Sequence, residues 1–141
     1  MPPRERDEGL FTDMLTSARE AWEFCYAIDL ERFMSDRKLC LAVERCLEII
    51  GEAASQLSEE ARAAHPEIPW QRIRGLRNVL AHDYGNIEYE TLYKIVTDEL
   101  PPLRAALEAI LGKMQGIREV CRSPYAARRW GLDGAWVQAA A

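Results

Sequence analysis

Residues 70–85 read Trp70-Gln71-Arg72-Ile73-Arg74-Gly75-Leu76-Arg77-Asn78-Val79-Leu80-Ala81-His82-Asp83-Tyr84-Gly85. An α-helix advances about 100° per residue. With Arg74 at 0°, Arg77 falls near about −60°, Asn78 near about 40° and His82 near about 80°. Ile73, Leu76, Val79 and Leu80 collect between about 140° and 260°, the face such a helix buries. The other face carries two guanidiniums, an amide and an imidazole, with no acid among them. Arg72 lies off this arc in the first turn, where helices fray, and Asp83 lies off it too.

A solvated helix face in a chain with 23 acidic residues ordinarily mixes both signs. An acid-free Arg/Arg/Asn/His arc suits a phosphate. Arginine grips phosphate oxygens with a planar fork and keeps its charge at any working pH. Histidine titrates near neutrality and can move protons. Asparagine can orient either the ligand or the imidazole. The blander reading is that His82 and Tyr84 merely end a helix, where a histidine favours the dipole. Gly75 costs about 1 kcal/mol against alanine in mid-helix. It therefore predicts the close approach of a second helix or of a ligand.

The helical period extends outward from this segment. Leu10, Phe11, Met14, Leu15, Ala18, Ala21, Trp22, Cys25 and Ile28 share one face, which predicts a first helix over about 8–32. Ser35 or Asp36 can cap a second, whose stripe runs Leu39, Ala42, Val43, Cys46, Ile49, Ile50, Ala53, Ala54 and Leu57 and stops before Ser58. Ser58-Glu59-Glu60 begins a short third helix that ends near His65-Pro66. Pro69 opens the Arg/Arg/Asn/His helix, which runs to about Asp83 and which Gly85 ends. Asn86 is the expected cap of a last helix from Ile87. Its stripe is Leu92, Tyr93, Val96, Leu100, Leu103, Leu107, Ile110 and Leu111, with a kink or short break expected at Pro101-Pro102. The fold class is all-α: an antiparallel bundle of four main helices plus a short one.

The chain has 141 residues, 48% of them hydrophobic and 29% charged, which suits one globular domain with a real core. Its formal net charge is −5, so a whole-surface basic field for nucleic acid is excluded, and any RNA contact must be local or come from a partner. Residues 1–115 form the expected domain. Residues 116–141 form a basic extension carrying Trp130 and Trp136. Arg118, Arg122, Arg128 and Arg129 against Glu119 and Asp133 give this extension +2 and leave −7 on residues 1–115. No apolar run reaches the roughly 18 residues of a membrane helix. The charged start, Met1 to Glu8, does not read as a secretory signal, so a cytoplasmic location is expected. Cys25, Cys40, Cys46 and Cys121 form no CxxC pair and read as reduced, partly buried thiols rather than a zinc site. Glu44, Glu48 and Glu52 repeat at four-residue spacing without matching histidines, so they read as a solvated face rather than a metal site. His65, before Pro66, reads as a helix end. Neither a cofactor nor a metal is expected.

At Arg77-Asn78-Val79-Leu80-Ala81-His82-Asp83-Tyr84 the sequence resembles the HEPN superfamily, and within it the HepT-like toxins. Their signature is an arginine, four residues, a histidine, one residue and a tyrosine, often with a polar residue directly after the arginine. Arg77, Asn78, His82 and Tyr84 match each place. The flanks agree: "IPWQRIRGLRNVLAHDYG", then an Ile-Glu-Tyr helix start and a Leu-Pro-Pro-Leu break. The likeness spans about residues 10–114, and the tail from 116 has no counterpart in it. It implies a HEPN-type helical bundle, a homodimer, and a metal-independent endoribonuclease whose cleft uses the motif of both subunits. It further implies the toxin role in a type VII-like toxin–antitoxin pair. The partner there is a minimal, MntA-like nucleotidyltransferase antitoxin, which silences the toxin by AMPylation of the motif tyrosine, here Tyr84.

The wheel is consistent with that implication. Arg77 and His82 lie about 140° apart on one helix, so one copy does not easily aim both at a single phosphorus. Two copies facing each other across a two-fold axis can. On this reading Arg77, His82 and Asn78 are the catalytic candidates. Arg74 is the RNA-phosphate contact and Tyr84 the regulatory site. The alternative is a non-catalytic module that docks a nucleotidyltransferase and presents Tyr84 or the arginine arc to its nucleotide.

Overall fold

The computed structural model describes residues 3–82 and 88–115. The described residues are helical, with no strand among them. Helices α1 (Pro3–Cys25), α3 (Arg37–Gln56) and α5 (Trp70–His82) are the long elements of the first part, with α2 (Leu30–Ser35) and α4 (Glu59–Ala63) as short connecting helices. Then come α6 (Tyr89–Lys94), a π-helical turn (Ile95–Glu99) and α7 (Leu100–Gln115). Residues Met1–Leu107 form one compact unit, and α7 carries the chain into a second, which begins at Glu108.

Helix α3 packs against both α1 and α5. Its stripe of Cys40, Val43, Cys46, Leu47, Ile50, Gly51, Ala53 and Ala54 is buried. From α1, Phe11, Met14, Leu15, Ala18, Ala21 and Cys25 are buried too. The two helices run antiparallel: Asp7, near the start of α1, accepts hydrogen bonds from Ser58, just beyond the end of α3. Farther along, the Cys46 thiol faces the Glu20 carboxylate. Each buried large side chain contributes about 1.5–3 kcal/mol relative to an exposed one, so the stripe predicted from periodicity is also the main source of cohesion.

The predicted first helix over 8–32 is two helices. Ala27 adopts φ 56°, a left-handed value that breaks the α1 ladder. Asp29 then caps α2 by accepting a hydrogen bond from the Arg32 amide at 2.8 Å. The Tyr93 hydroxyl donates to the Ile28 carbonyl at 2.6 Å and fastens this corner to α6. Asp36 caps α3 and Ser58 caps α4, as their positions predicted. Arg62 donates to the Leu57 and Ala54 carbonyls, which satisfies carbonyls that the end of α3 leaves orphaned.

Two expectations about the last helix need correction. Glu88 is extended, with φ −77° and ψ 104°, so α6 begins at Tyr89 rather than near Ile87. Asn86 lies outside the described residues. Of the kink or short break expected at Pro101-Pro102, the break is absent: the chain stays helical from Leu100 to Gln115. The widened turn at Ile95–Glu99 absorbs the defect instead, with the Leu100 amide donating to the Ile95 carbonyl five residues back. A proline inside an α-helix lacks an amide donor and clashes with the carbonyl four residues earlier, and a π turn displaces those carbonyls. The helix therefore continues through the proline pair.

Candidate functional site

Helix α5 exposes Arg74 and Arg77 of the predicted arc. Ile73 and Leu80 are buried, whereas Gln71, Arg72, Arg74 and Arg77 are exposed. Trp70 anchors the start of the helix, its indole N–H shared between the Arg62 and His65 carbonyls at 3.0 and 2.9 Å. His65 stands edge-on to the Phe11 ring, with centroids 6.1 Å apart, and pairs with Glu67 at 3.5 Å. It closes a helix, as predicted, and lies outside the arc.

Arg77 is the best-defined member of the site. Its Nε lies 2.5 Å from Oε2 of Glu52 on α3. The other Glu52 oxygen accepts a hydrogen bond from the Gln56 amide at 2.8 Å. The carboxylate is thus held at both ends. The pairing is made through Nε, the guanidinium nitrogen nearest the chain, and about half of the Arg77 side chain stays exposed. Half-exposed on both sides, the pair contributes about 0–1 kcal/mol to stability.

No described part of the chain makes the close approach expected at Gly75; a helix crossing of that kind occurs at Gly51. A Cβ on Gly75 would meet nothing within 4 Å. A Cβ on Gly51 would stand 2.9 Å from the Arg77 amide nitrogen and 3.1 Å from the Ile73 carbonyl. Helix α3 therefore crosses α5 at Gly51, directly beneath Arg77. The backbone contact and the Glu52 ion pair come from consecutive residues of α3.

The reading of Glu44, Glu48 and Glu52 as a solvated face holds in part. Glu48 pairs with Arg45 on its own helix, but Glu52 reaches across to Arg77. The arc is acid-free only along α5 itself. Arg72, set aside as part of a frayed turn, pairs with Glu99 of the π-helical turn. Arg74 makes no ion pair with any described residue. Sequence reasoning missed Glu52. The available signal was a glycine inside an apolar stripe with an acid directly after it, since a glycine at a helix crossing brings the next helix within reach of its neighbours.

Asn78 and His82 hold their predicted places along α5; their side chains lie outside the described residues, as does Tyr84. The geometry of the arc is therefore set here by Arg74 and Arg77. Among the described residues, no group of three His, Cys, Asp or Glu side chains could hold a metal ion. No helix there is long and apolar enough to cross a membrane. Cys25, Cys40 and Cys46 are buried thiols outside any disulfide. Burial, and then the neighbouring Cys40, push the Cys25 thiol up to about 11; Cys40 is raised as well, chiefly by burial. Such thiols are poor nucleophiles.

The family model for "Ribonuclease HepT-like" matches residues 14–110. A Methanocaldococcus jannaschii protein named as a putative RNase is 39% identical over 98 residues, covering 70% of this chain and 90% of its own. A second RNase so named from that organism is 30% identical, with 82% and 98% covered. The "Probable ribonuclease HepT" of Thermococcus cleftensis is 38% identical, with 62% and 80% covered. No solved structure matches.

Proposed function

Because the chain belongs to the ribonuclease HepT-like family, we propose that it is a HepT-type endoribonuclease that cuts RNA through Arg77, Asn78 and His82. The observation that carries this reading is the half-exposed Arg77 side chain on α5, paired through Nε with Glu52 of α3. It stands five residues before His82 on a helix whose exposed arc carries no acid of its own.

The chemistry follows from these residue types. His82 takes the proton from an RNA 2′-hydroxyl, or gives one to the departing 5′-oxygen. The 2′-oxygen bonds to phosphorus and the P–O5′ bond breaks. The products are a 2′,3′-cyclic phosphate and a free 5′-hydroxyl. Arg77 neutralises the charge that grows on the phosphorane oxygens. Asn78 positions the phosphate or the imidazole, and Arg74 holds a neighbouring phosphate. No step requires a metal. DNA is spared for want of the 2′-hydroxyl.

The roughly 140° between Arg77 and His82 on one helix favours a homodimer in which two α5 helices share one cleft. The open face at Gly75 leaves room for that approach. On the same reading the protein is the toxin of a toxin–antitoxin pair in the cytoplasm. A nucleotidyltransferase antitoxin silences it by transferring AMP from ATP to the Tyr84 hydroxyl with release of pyrophosphate, and the added bulk and negative charge exclude the RNA phosphate.

The test pairs RNA cleavage with intact mass. Wild type should cleave RNA without added metal, and His82→Ala should lose at least about 10²-fold, the contribution of one acid–base group. Co-expression with the nucleotidyltransferase should add AMP masses that Tyr84→Phe abolishes. A folded dimer that neither cleaves RNA nor gains mass would move the assignment to a non-catalytic partner-binding module.

A further inference from the structure

We infer that Glu52, held by Gln56, is the positioning residue for Arg77. It keeps the guanidinium in the orientation that meets the scissile phosphate. The inference rests on the ribonuclease reading above and deepens it. Three observations on α3 converge. Gly51 lets the α3 backbone pass within contact distance of the Arg77 amide. Glu52 takes Nε of the same residue at 2.5 Å. Gln56 donates to the second Glu52 oxygen at 2.8 Å and so limits rotation of the carboxylate. Backbone and side chain of Arg77 are thus both held by the same stretch of one neighbouring helix.

A stabilising role alone does not explain this arrangement. Glu52 and Arg77 keep 41% and 49% of their side-chain surface exposed, and such pairs add little to stability. An arginine that serves only as a counter-charge for phosphate also gains nothing from an acid beside it, because the acid weakens the local positive potential. The acid is useful if orientation limits the rate. An arginine has four rotatable side-chain bonds. A carboxylate at Nε removes much of that freedom and leaves the Nη edge for the phosphate. The expected signature is thus a split: loss of Glu52 lowers kcat while RNA binding stays the same or tightens.

The experiment uses the full chain with Glu52→Ala, Glu52→Gln and Gln56→Leu. Glu52→Ala should lower kcat by about 10–100-fold, the order of effect of a misplaced catalytic group. Its KM should equal or fall below that of wild type, as should its Kd for an uncleavable 2′-O-methyl RNA, since a negative charge has been removed. Glu52→Gln keeps an acceptor for Nε and should cleave within about threefold of wild type; Gln56→Leu should fall between. The Arg77 Nε–H resonance, assigned with Arg77→Lys, should be downfield and slow to exchange in wild type and Glu52→Gln, and lost in Glu52→Ala.

Equal kcat in Glu52→Ala and wild type would overturn the inference. So would a loss in Glu52→Gln as large as in Glu52→Ala. A melting temperature for Glu52→Ala more than about 8 °C below wild type would assign the pair to the fold, beyond what an exposed ion pair supplies. If wild type cleaves no RNA, the ribonuclease reading fails by itself. The inference then stands or falls on whether the Arg77 Nε–H resonance is slow to exchange in wild type and Glu52→Gln, shifts there when 2′-O-methyl RNA is added, and is lost in Glu52→Ala.

Discussion

Gly51→Ala should destabilise the protein and slow it, although alanine is the better helix former. The added Cβ would stand 2.9 Å from the Arg77 nitrogen, 3.1 Å from the Ile73 oxygen and 3.2 Å from the Arg77 Cβ. Two of these atoms are backbone and cannot rotate away, so α5 must move off α3 by several tenths of an ångström. Overpacking of this kind costs about 1–3 kcal/mol, against about 1 kcal/mol gained in helix propensity. The net is a loss of about 1 kcal/mol. Gly9→Ala is the control. Gly9 also lies inside a helix, with nothing within 4 Å of its would-be Cβ, so it should gain about 0.5–1 kcal/mol. Urea unfolding analysed by linear extrapolation should separate the two variants by about 2 kcal/mol. Their melting temperatures should differ by about 6 °C. Cleavage should drop about tenfold or more in Gly51→Ala, because Arg77 moves with α5, and stay unchanged in Gly9→Ala. If Gly51→Ala were as stable as Gly9→Ala, α3 and α5 would not be in contact at this point, and the argument for a fixed Arg77 would lose its backbone half.

Asp7→Ala should cost about 1–3 kcal/mol in urea unfolding, because the Ser58 amide and hydroxyl lose the buried carboxylate they donate to. Alkaline pH should weaken the fold through Cys25. Its thiol is raised from 9.0 to about 11, so above pH 9 the unfolded chain ionises while the native one stays protonated. Stability is then lost as pH rises from 9 towards 11, by up to about 2 kcal/mol, and Cys25→Ala should flatten that slope in unfolding curves at pH 8 and pH 10. Glu99→Gln removes the exposed partner of Arg72; it should change stability by less than about 1 kcal/mol and leave RNA cleavage unaltered.

What the sequence made legible was local or periodic. The stripes of α1 and α3 were readable because burial of one helical face imposes the spacing directly, and the Asp36 and Ser58 caps because they act within three residues. What could not be read depended on another element. Ala27 takes a left-handed conformation that its residue type does not advertise; the break there becomes intelligible only with Asp29 capping α2 and Tyr93 holding the Ile28 carbonyl. Pro101-Pro102 announced a local defect, but where the defect fell, one turn earlier and without a break, depended on what the π turn buries, namely Ile95 and Val96. On α5, the exposure of Arg74 and Arg77 was legible because both lie on one helix. Glu52 was not, because a reach across a helix crossing has no fixed sequence spacing. Gly75 and Gly51 show the same limit: each is a glycine in mid-helix, and only the packing tells which one a neighbour requires.

The charges place a bound on how RNA can be held. Residues 1–115 carry a net −7, so binding draws nothing from the general field of this domain and depends on the arc. Of the three arginines in α5, Arg72 is already matched by Glu99 and Arg77 by Glu52 at Nε. That leaves Arg74 and the exposed part of Arg77 as the α5 groups proposed to meet a phosphate. If two copies face each other, at most about four arginines meet RNA. For single-stranded RNA the logarithm of affinity falls with the logarithm of salt with a slope of about −0.7 per phosphate neutralised. The slope should therefore be no steeper than about −3 for residues 1–115, measured with 2′-O-methyl RNA across a salt series. Arg74→Ala should make it shallower by about 1.4, since each dimer loses two such contacts. A slope near −6 would mean that the phosphates are held mainly by groups other than the α5 arc. The same measurement on the full chain would then show how much the four arginines of residues 116–141 add.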